Sequence, residues 1–473
     1  MEMKWDFILD FCVLGSFLLL ATFLRANVRL LRKFMIPNNI VAGFLCFIFG
    51  GEVLGVIDIS TERFGTYVYH LLAITFISMA LRKTEKSGGR PMVGTGLLLS
   101  FGYGAQAFLG LLICYIAMFT VMPDLFPTFG YFLVLGFGQG PGQAYALGRS
   151  WEASGLVAGG GMGLTFAAIG YIWACVVGVP LIYWGMKKQG KHGRGTGYDA
   201  VLAEGEAGII EDERSRPEAG RLTVSSSALD SLSFHAALVA GVYLMTFGLL
   251  SGTEKLLLGA GGGKSVTQLV NTMWGMHYIF ATTLAILFRG IIGRTRWGGL
   301  IDNGLMNRIS GTALDFMVTA AIAAISLSAL NRYLGITIVM TMAGGVMTTF
   351  YVVYEIRKSE IPHGLELIGG VYGTLTGTLN TGLTLVRIAD PHFKTPVAQN
   401  LVFGCGLALP LSMPFFISMV VPLLGMNSPN PHLYYIINMA AIGLYSLALF
   451  AAWRYTAGWF RLRIDSSREA EYV

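Results

Sequence analysis

Of 473 residues, 54% are hydrophobic and only 13% are charged, against roughly a quarter charged in an ordinary soluble domain. This excludes a soluble enzyme. The 33 Lys and Arg exceed the 27 Asp and Glu to give a net charge of +6, but these charges sit between apolar blocks and leave no nucleic-acid footprint.

A hydrocarbon core about 30 Å thick takes about 20 helical residues at 1.5 Å rise each. Eleven apolar blocks of that order are predicted as spans: 6–24, 36–57, 65–81, 92–121, 152–186, 234–258, 270–292, 309–330, 334–354, 397–424 and 433–458. The first resembles a signal peptide in length, but it carries Asp6 and Asp10, has only Lys4 ahead of it, and is followed by Arg25, Arg29, Arg32 and Lys33. That pattern reads as a retained span with its N-terminus outside. On this alternation the clusters at Arg82–Lys83, Lys187–Lys188, Arg294–Arg296, Arg357–Lys358 and Arg461–Arg463 all fall on the cytoplasmic side, where the C-terminus also lies. Only Lys4, Arg63, Arg149, Lys255, Lys264 and Arg332 fall outside. The net positive charge is therefore topology.

The stretch 187–233 is rich in Gly, Glu, Ser and Arg with almost no aromatic residue, and reads as a flexible cytoplasmic linker between two halves, 1–186 and 234–424. Residues 425–473 add a further span and a cytoplasmic tail. Each half holds five spans, so the second enters from the opposite face and the halves form an inverted repeat. The five cysteines, Cys12, Cys46, Cys114, Cys175 and Cys405, are scattered singly through apolar runs and read as small hydrophobes without a disulfide or zinc framework.

In each half the connection between the fourth and fifth span is itself apolar and glycine-rich. Residues 129–149 contain Gly138, Gln139, Gly140 and Gln143, and residues 361–387 contain Gly373, Thr374, Thr376, Gly377, Thr378, Asn380, Thr381 and Thr384. Glycine costs about 1 kcal/mol inside a helix, and non-helical backbone is tolerated at membrane depth only where protein or a water-filled cavity satisfies it. Two re-entrant hairpins are predicted, one from each face, with vertices at Gly138 and Gly373. Interrupted helices at matching places of inverted halves point to the binding site of a secondary transporter. The bland alternative is close helix packing, which the glycines of 155–163 also suggest.

Four stretches carry a resemblance to the bacterial glutamate:sodium symporter family: Arg32–Gly43 with Pro37-Asn38-Asn39, Gly89–Gly94, the first hairpin with Gly138-Gln139-Gly140-Pro141-Gly142, and the second with Gly370, Gly373 and Gly377. The resemblance implies an all-α inner-membrane protein with inverted five-span repeats, two re-entrant hairpins, a homodimer and elevator-like motion of a hairpin-bearing core. It also implies glutamate or a related small carboxylate as substrate, Na⁺ as the coupling ion and no further cofactor. Phe137 stands where the family motif has its first glycine, Leu375 where a small residue is usual, and Asn380 where a proline is expected; the eleventh span is additional to the family's ten.

The substrate-contacting candidates are Gly138, Gln139, Gly140, Gln143, Gly373, Thr374, Thr376, Gly377, Asn380 and Thr381. Arg149 or Arg387 could supply a guanidinium fork for a carboxylate, or could snorkel to the interface. Thr376, Thr378 and Asp315 are the Na⁺ candidates, offering hydroxyl and carboxylate oxygens. Asp315 lies in an apolar block, where an unpaired carboxylate costs a few kcal/mol or more. It either serves the cation, with His70 across the cavity, or starts its helix and pairs with Arg308. Asp10 and Glu52 read as interfacial, and Trp5, Trp151, Trp453 and Trp459 as aromatic anchors.

No nucleophile, base and oxyanion group share a recognisable spacing, and Gly259–Ser265 lacks the phosphate-loop pattern. The chain reads as no enzyme and no ATPase. One negative charge carried inward against 100 mV costs about 2.3 kcal/mol, which a coupled cation offsets. The alternatives are a proton-coupled carrier or exporter, and a channel.

Overall fold

A computed structural model describes residues 5–470 apart from 35, 59, 84–88, 189–208, 210–212, 214–215, 217, 260, 262 and 392. Every extended element among the described residues is helical. Most of the segment 187–233 lies outside them. Its described part rests on a neighbouring helix start, where Ala219 O accepts from Arg308 Nε at 3.4 Å and Arg221 N donates to Asp302 Oδ1 at 3.3 Å.

The first part of the chain folds as α1 (Asp6–Asn27), α2 (Asn38–Phe49), α3 (Thr61–Ala80), α4 (Arg90–Thr120), α5 (Phe129–Gln139), α6 (Pro141–Glu152) and α7 (Gly159–Lys188). Then follow α8 (Ser231–Gly259), α9 (Lys264–Gly275), α10 (His277–Ile292), α11 (Asn303–Ala323), α12 (Leu327–Lys358), α13 (Gly364–Leu375), α14 (Leu379–Ala389), α15 (Val397–Leu411), α16 (Met413–Met426) and α17 (Pro431–Ala470). Local chemistry sets the starts: Ser60, Asp302 and Ser326 side chains accept from the backbone N–H three residues on, and Pro91 and Pro141 occupy first-turn positions whose N–H has no helical partner.

Six helices, α1, α4, α7, α8, α12 and α17, are long and apolar enough to cross a membrane. The pairs α9 with α10, bent by 59°, and α15 with α16, bent by 41°, raise the number to eight. The chain is thus a helical membrane protein by length and composition. Three blocks read as spans fall short for visible reasons. Block 36–57 ends as helix at Phe49 because Gly50 and Gly51 follow, whereas α3 carries Glu62, Arg63 and His70, and α11 carries Arg308 and Asp315. The outward faces of α1 and α8 are apolar, with Leu19, Phe23, Leu244 and Phe247 exposed, as lipid contact requires.

Packing sorts the helices into two groups. In the first, α3 lies along α11, with α1, α2, α8 and α10 around them, and α9 is tied to α8 by Trp274 Nε1 donating to Glu254 Oε2 at 3.1 Å. The second is built on α4, flanked by α15 and α17, and holds α5 to α7 and α12 to α14. The first group carries its own ion pair: Asp10, 4% exposed, accepts from Arg63 Nε and Nη2 at 2.7 and 3.1 Å and so ties α1 to α3. Glu52 caps α12 through Leu327 N at 3.1 Å. Trp5 is exposed, but Trp151 and Trp453 are core residues, at 0% and 1% exposure, and present no ring surface for a headgroup layer to anchor.

Small residues decide where the helices meet. A side chain on Gly148 would strike the carbonyl of Gly159, and one on Gly163 the carbonyl of Ala144, so α6 and α7 pack backbone to backbone. Overpacking costs about 1–3 kcal/mol, and Gly163→Val is expected to lower the melting temperature in detergent by several degrees. An unchanged melting temperature would mean that α6 and α7 are further apart than described.

Candidate functional site

Two antiparallel helix pairs occupy the centre of the second group. In the first, α5 and α6 fold back so that Phe132 meets Trp151, with ring centroids 5.5 Å apart. In the second, α13 and α14 approach so closely that a Cβ on Gly373 would lie 2.8 Å from Gly382 Cα, and one on Gly369 3.2 Å from the Leu385 carbonyl. The turning points differ from those expected. Leu135–Gln139 is a widened π turn that holds Gly138, and the chain reverses at Gly140, whose φ of 97° and ψ of 172° are open to glycine alone. Gly373 is no vertex but a packing glycine inside α13. The second reversal comes at Thr376–Thr378.

The two vertices touch. A Cβ on Gly140 would lie 3.3 Å from Thr378 Cγ2 and 3.6 Å from the Gly377 carbonyl. Gln106, fully buried on α4, sits between them: its Nε2 donates to Leu375 O at 2.8 Å and to Thr348 Oγ1 at 3.0 Å, while its Oε1 faces Gly138 without a partner. Gln139 Nε2 and the Tyr171 hydroxyl are likewise buried and unpartnered. Buried polar atoms without partners are uncommon and mark strain, a ligand position or bound water.

Beside the second vertex is a cavity of about 570 Å³, within the 300–1,000 Å³ typical of small-molecule sites. It separates α14 from the first group. Thr378, Asn380, Thr381 and Thr384 line one wall, Thr22 and Arg25 of α1 another, and Asn38 and Asn39 of α2 a third, with Asp315 on α11 and Tyr171 on α7. Asp315 does not pair with Arg308. Its Oδ1 accepts from Asn39 Nδ2 at 2.8 Å, and Asn38 Nδ2 donates to Thr22 Oγ1 at 2.9 Å, which leaves both asparagine Oδ1 atoms buried without donors. The first turns of α2 and α14 both border the cavity, and helix N-termini favour anions through their free N–H groups. One space therefore offers N–H groups and a guanidinium to an anion, and a carboxylate, hydroxyls and amide oxygens to a cation.

The residues expected from sequence divide accordingly. Thr378, Asn380, Thr381 and Asp315 line the cavity, and Gly140 and Gly377 form the contact between vertices. Gln143 is buried behind Gly140. Thr374 and Thr376 spend their hydroxyls on Gly370 O and Tyr372 O, both at 2.8 Å, so neither hydroxyl proton is free. Arg149 lies away from the cavity in an ion-pair cluster with Glu152 and with Glu62, the latter at 3.1 Å. Arg387, at the end of α14, does not line the cavity, and its Nε is buried without a partner. His70 bonds Tyr243 Oη at 2.7 Å and is not part of the lining.

Asn38, Asn39, Tyr171 and Gln106 were not singled out as site residues. A signal existed for the first two, since Pro37-Asn38-Asn39 places two amides at a helix start; Gln106, a lone amide within a 31-residue apolar helix, was also visible.

Comparison with known proteins returns no matching family model, curated protein or solved structure. The functional reading rests on the geometry and on the sequence motifs.

Proposed function

We propose that this chain is a secondary active transporter that carries glutamate or a related small carboxylate into the cell by Na⁺ symport. The observation that carries the reading is the contact of two interrupted helix pairs beside a cavity with both anion-favouring helix starts and a buried carboxylate. An eleven-span inverted repeat is part of the reading, and the succession of a long helix, shorter helices, a long helix and a helix pair, in α1–α6 and again in α8–α14, supports it. So do the motifs shared with the bacterial glutamate:sodium symporters, a family of inner-membrane homodimers.

In this reading α5–α6 dips from the outside and α13–α14 from the cytoplasm. The substrate carboxylate takes the N–H groups at the start of α14, and Na⁺ takes oxygens from Asp315, Asn39 and Thr378. Thr378 and Asp315 present oxygens to the cavity, whereas Thr376, whose hydroxyl donates to Tyr372 O, does not line it. Alternating access moves the second group, which bears both vertices, against the first. In this reading α6, which lies on α3 and α9, closes the outer path, and the cavity beside α14 serves as the cytoplasmic vestibule.

Purified protein in liposomes with an inward Na⁺ gradient is expected to accumulate radiolabelled glutamate or a competing dicarboxylate above equilibrium, and collapse of the gradient is expected to release it. Uptake that ignores Na⁺ but follows a pH gradient would replace the reading with proton coupling. Flux that never saturates would replace it with a channel.

A further inference from the structure

We infer that α17, the span beyond the two repeats, travels with the hairpin-bearing group and is no part of the fixed frame. The inference rests on the two-group mechanism proposed above and assigns a helix that neither repeat accounts for.

Three levels of contact bind α17 to the second group. Near its start, Asn438, with no exposed surface, accepts from Tyr131 Oη at 2.9 Å and donates to Tyr115 Oη at 3.1 Å, while Tyr131 Oη also lies 2.8 Å from Ser418 Oγ. One buried amide thus joins α17 to α4 and to the base of the first helix pair, and Tyr131 carries the network on to α16. At mid-length Gly104 of α4 lies flat against Ser446, with a Cβ position 3.2 Å from Ser446 Cβ. Two turns further along Arg454 Nη1 pairs with Glu355 Oε2 of α12 at 3.2 Å, and Glu355 is buried. Breaking such desolvated bonds in lipid would leave the tyrosine hydroxyls, the amide and a carboxylate unpaired. Toward the first group, the loop entering α17 makes an exposed hydrogen bond, Asn427 Nδ2 to Gln268 Oε1 at 2.8 Å, which water can replace. As far as Ala457 the outward face of α17 is apolar, with Leu444, Leu447 and Tyr455 exposed, so its free face slides against lipid.

Paired cysteines test the assignment in a background lacking the five native cysteines. Gly104→Cys with Ser446→Cys links α17 to α4, and Ser150→Cys with Gly275→Cys links α6 to α9, where the Cβ positions lie 2.8 Å apart; both are near the 3.5–4.5 Å of a disulfide. Each variant is compared with itself before and after oxidation. The first link is expected to form and leave Na⁺-driven uptake within two-fold, whereas the second is expected to reduce uptake at least ten-fold, with recovery on reduction. Loss of uptake on linking α17 to α4, or failure of that link to form, overturns the inference. Uptake that survives the α6–α9 link overturns the two-group mechanism, and the inference with it. Should Gly104→Cys be inactive before oxidation, cysteines at Glu355 and Arg454 joined by a short bifunctional thiosulfonate serve as the second link, with the same two outcomes.

Discussion

Asp315→Asn is expected to raise the Na⁺ concentration for half-maximal uptake at least ten-fold while the protein still folds. The substitution keeps shape and keeps an oxygen that can accept from Asn39 Nδ2, now 2.8 Å from Asp315 Oδ1, so the packing of α2 on α11 survives. What it removes is the one carboxylate that lines the cavity among the described residues. Oxygen ligands bind a hard cation more strongly when one carries charge, and a ten-fold loss corresponds to about 1.4 kcal/mol, a small part of an ion–carboxylate interaction at reduced dielectric. Asp315→Glu keeps the charge and is expected to recover part of the Na⁺ dependence. Half-saturation measured across a Na⁺ series in liposomes checks both. If Asp315→Asn leaves the series unchanged, Asp315 is only a partner for Asn39, and the cation sits elsewhere.

Gly140→Ala is expected to reduce uptake about thirty-fold. The backbone there has φ 97° and ψ 172°, a region that costs a residue with Cβ roughly 1–3 kcal/mol, and the new methyl would lie 3.3 Å from Thr378 Cγ2. Strain and crowding thus fall on the contact between vertices, where about 2 kcal/mol converts to a factor near thirty. Gly155→Ala is the control. Its φ of 108° is also left-handed, but a Cβ there meets nothing within 4 Å. It is expected to cost stability without a comparable loss of uptake. Equal effects of the two substitutions would show that backbone strain alone, and not the vertex contact, governs activity.

Much of this arrangement was legible in the sequence, and the parts that were not share a cause. Glycine at membrane depth announces that backbone is unusual there, and both helix pairs were found from it. It does not say whether the backbone turns or merely approaches another helix. Gly140 turns, whereas Gly373 lies within α13 and admits Gly382. The Thr-rich second pair was rightly marked as polar, yet a threonine in a helix satisfies its own hydroxyl on the carbonyl four residues back, as Thr374 and Thr376 do. Thr378 and Thr381 sit at the break, and their hydroxyls lie 3.4 Å from each other. Asp315 stood out as a charge in an apolar block, but its partner is Asn39, 276 residues away, and no local pattern encodes that pairing. Tryptophans at block ends look alike in sequence, so Trp151 and Trp453 were read as anchors although both fill the core.

The account depends on the cavity beside α14 being a solute pocket open to one face. Thr381→Cys, in a background without native cysteines, measures this directly with a membrane-impermeant maleimide on vesicles of both orientations. Labelling is expected from the cytoplasmic face, slowed at least five-fold by glutamate with Na⁺ and unaffected by either alone at low concentration. A residue at position 381 that is inert from both faces, or that reacts at one rate whatever solute is present, would contradict the account.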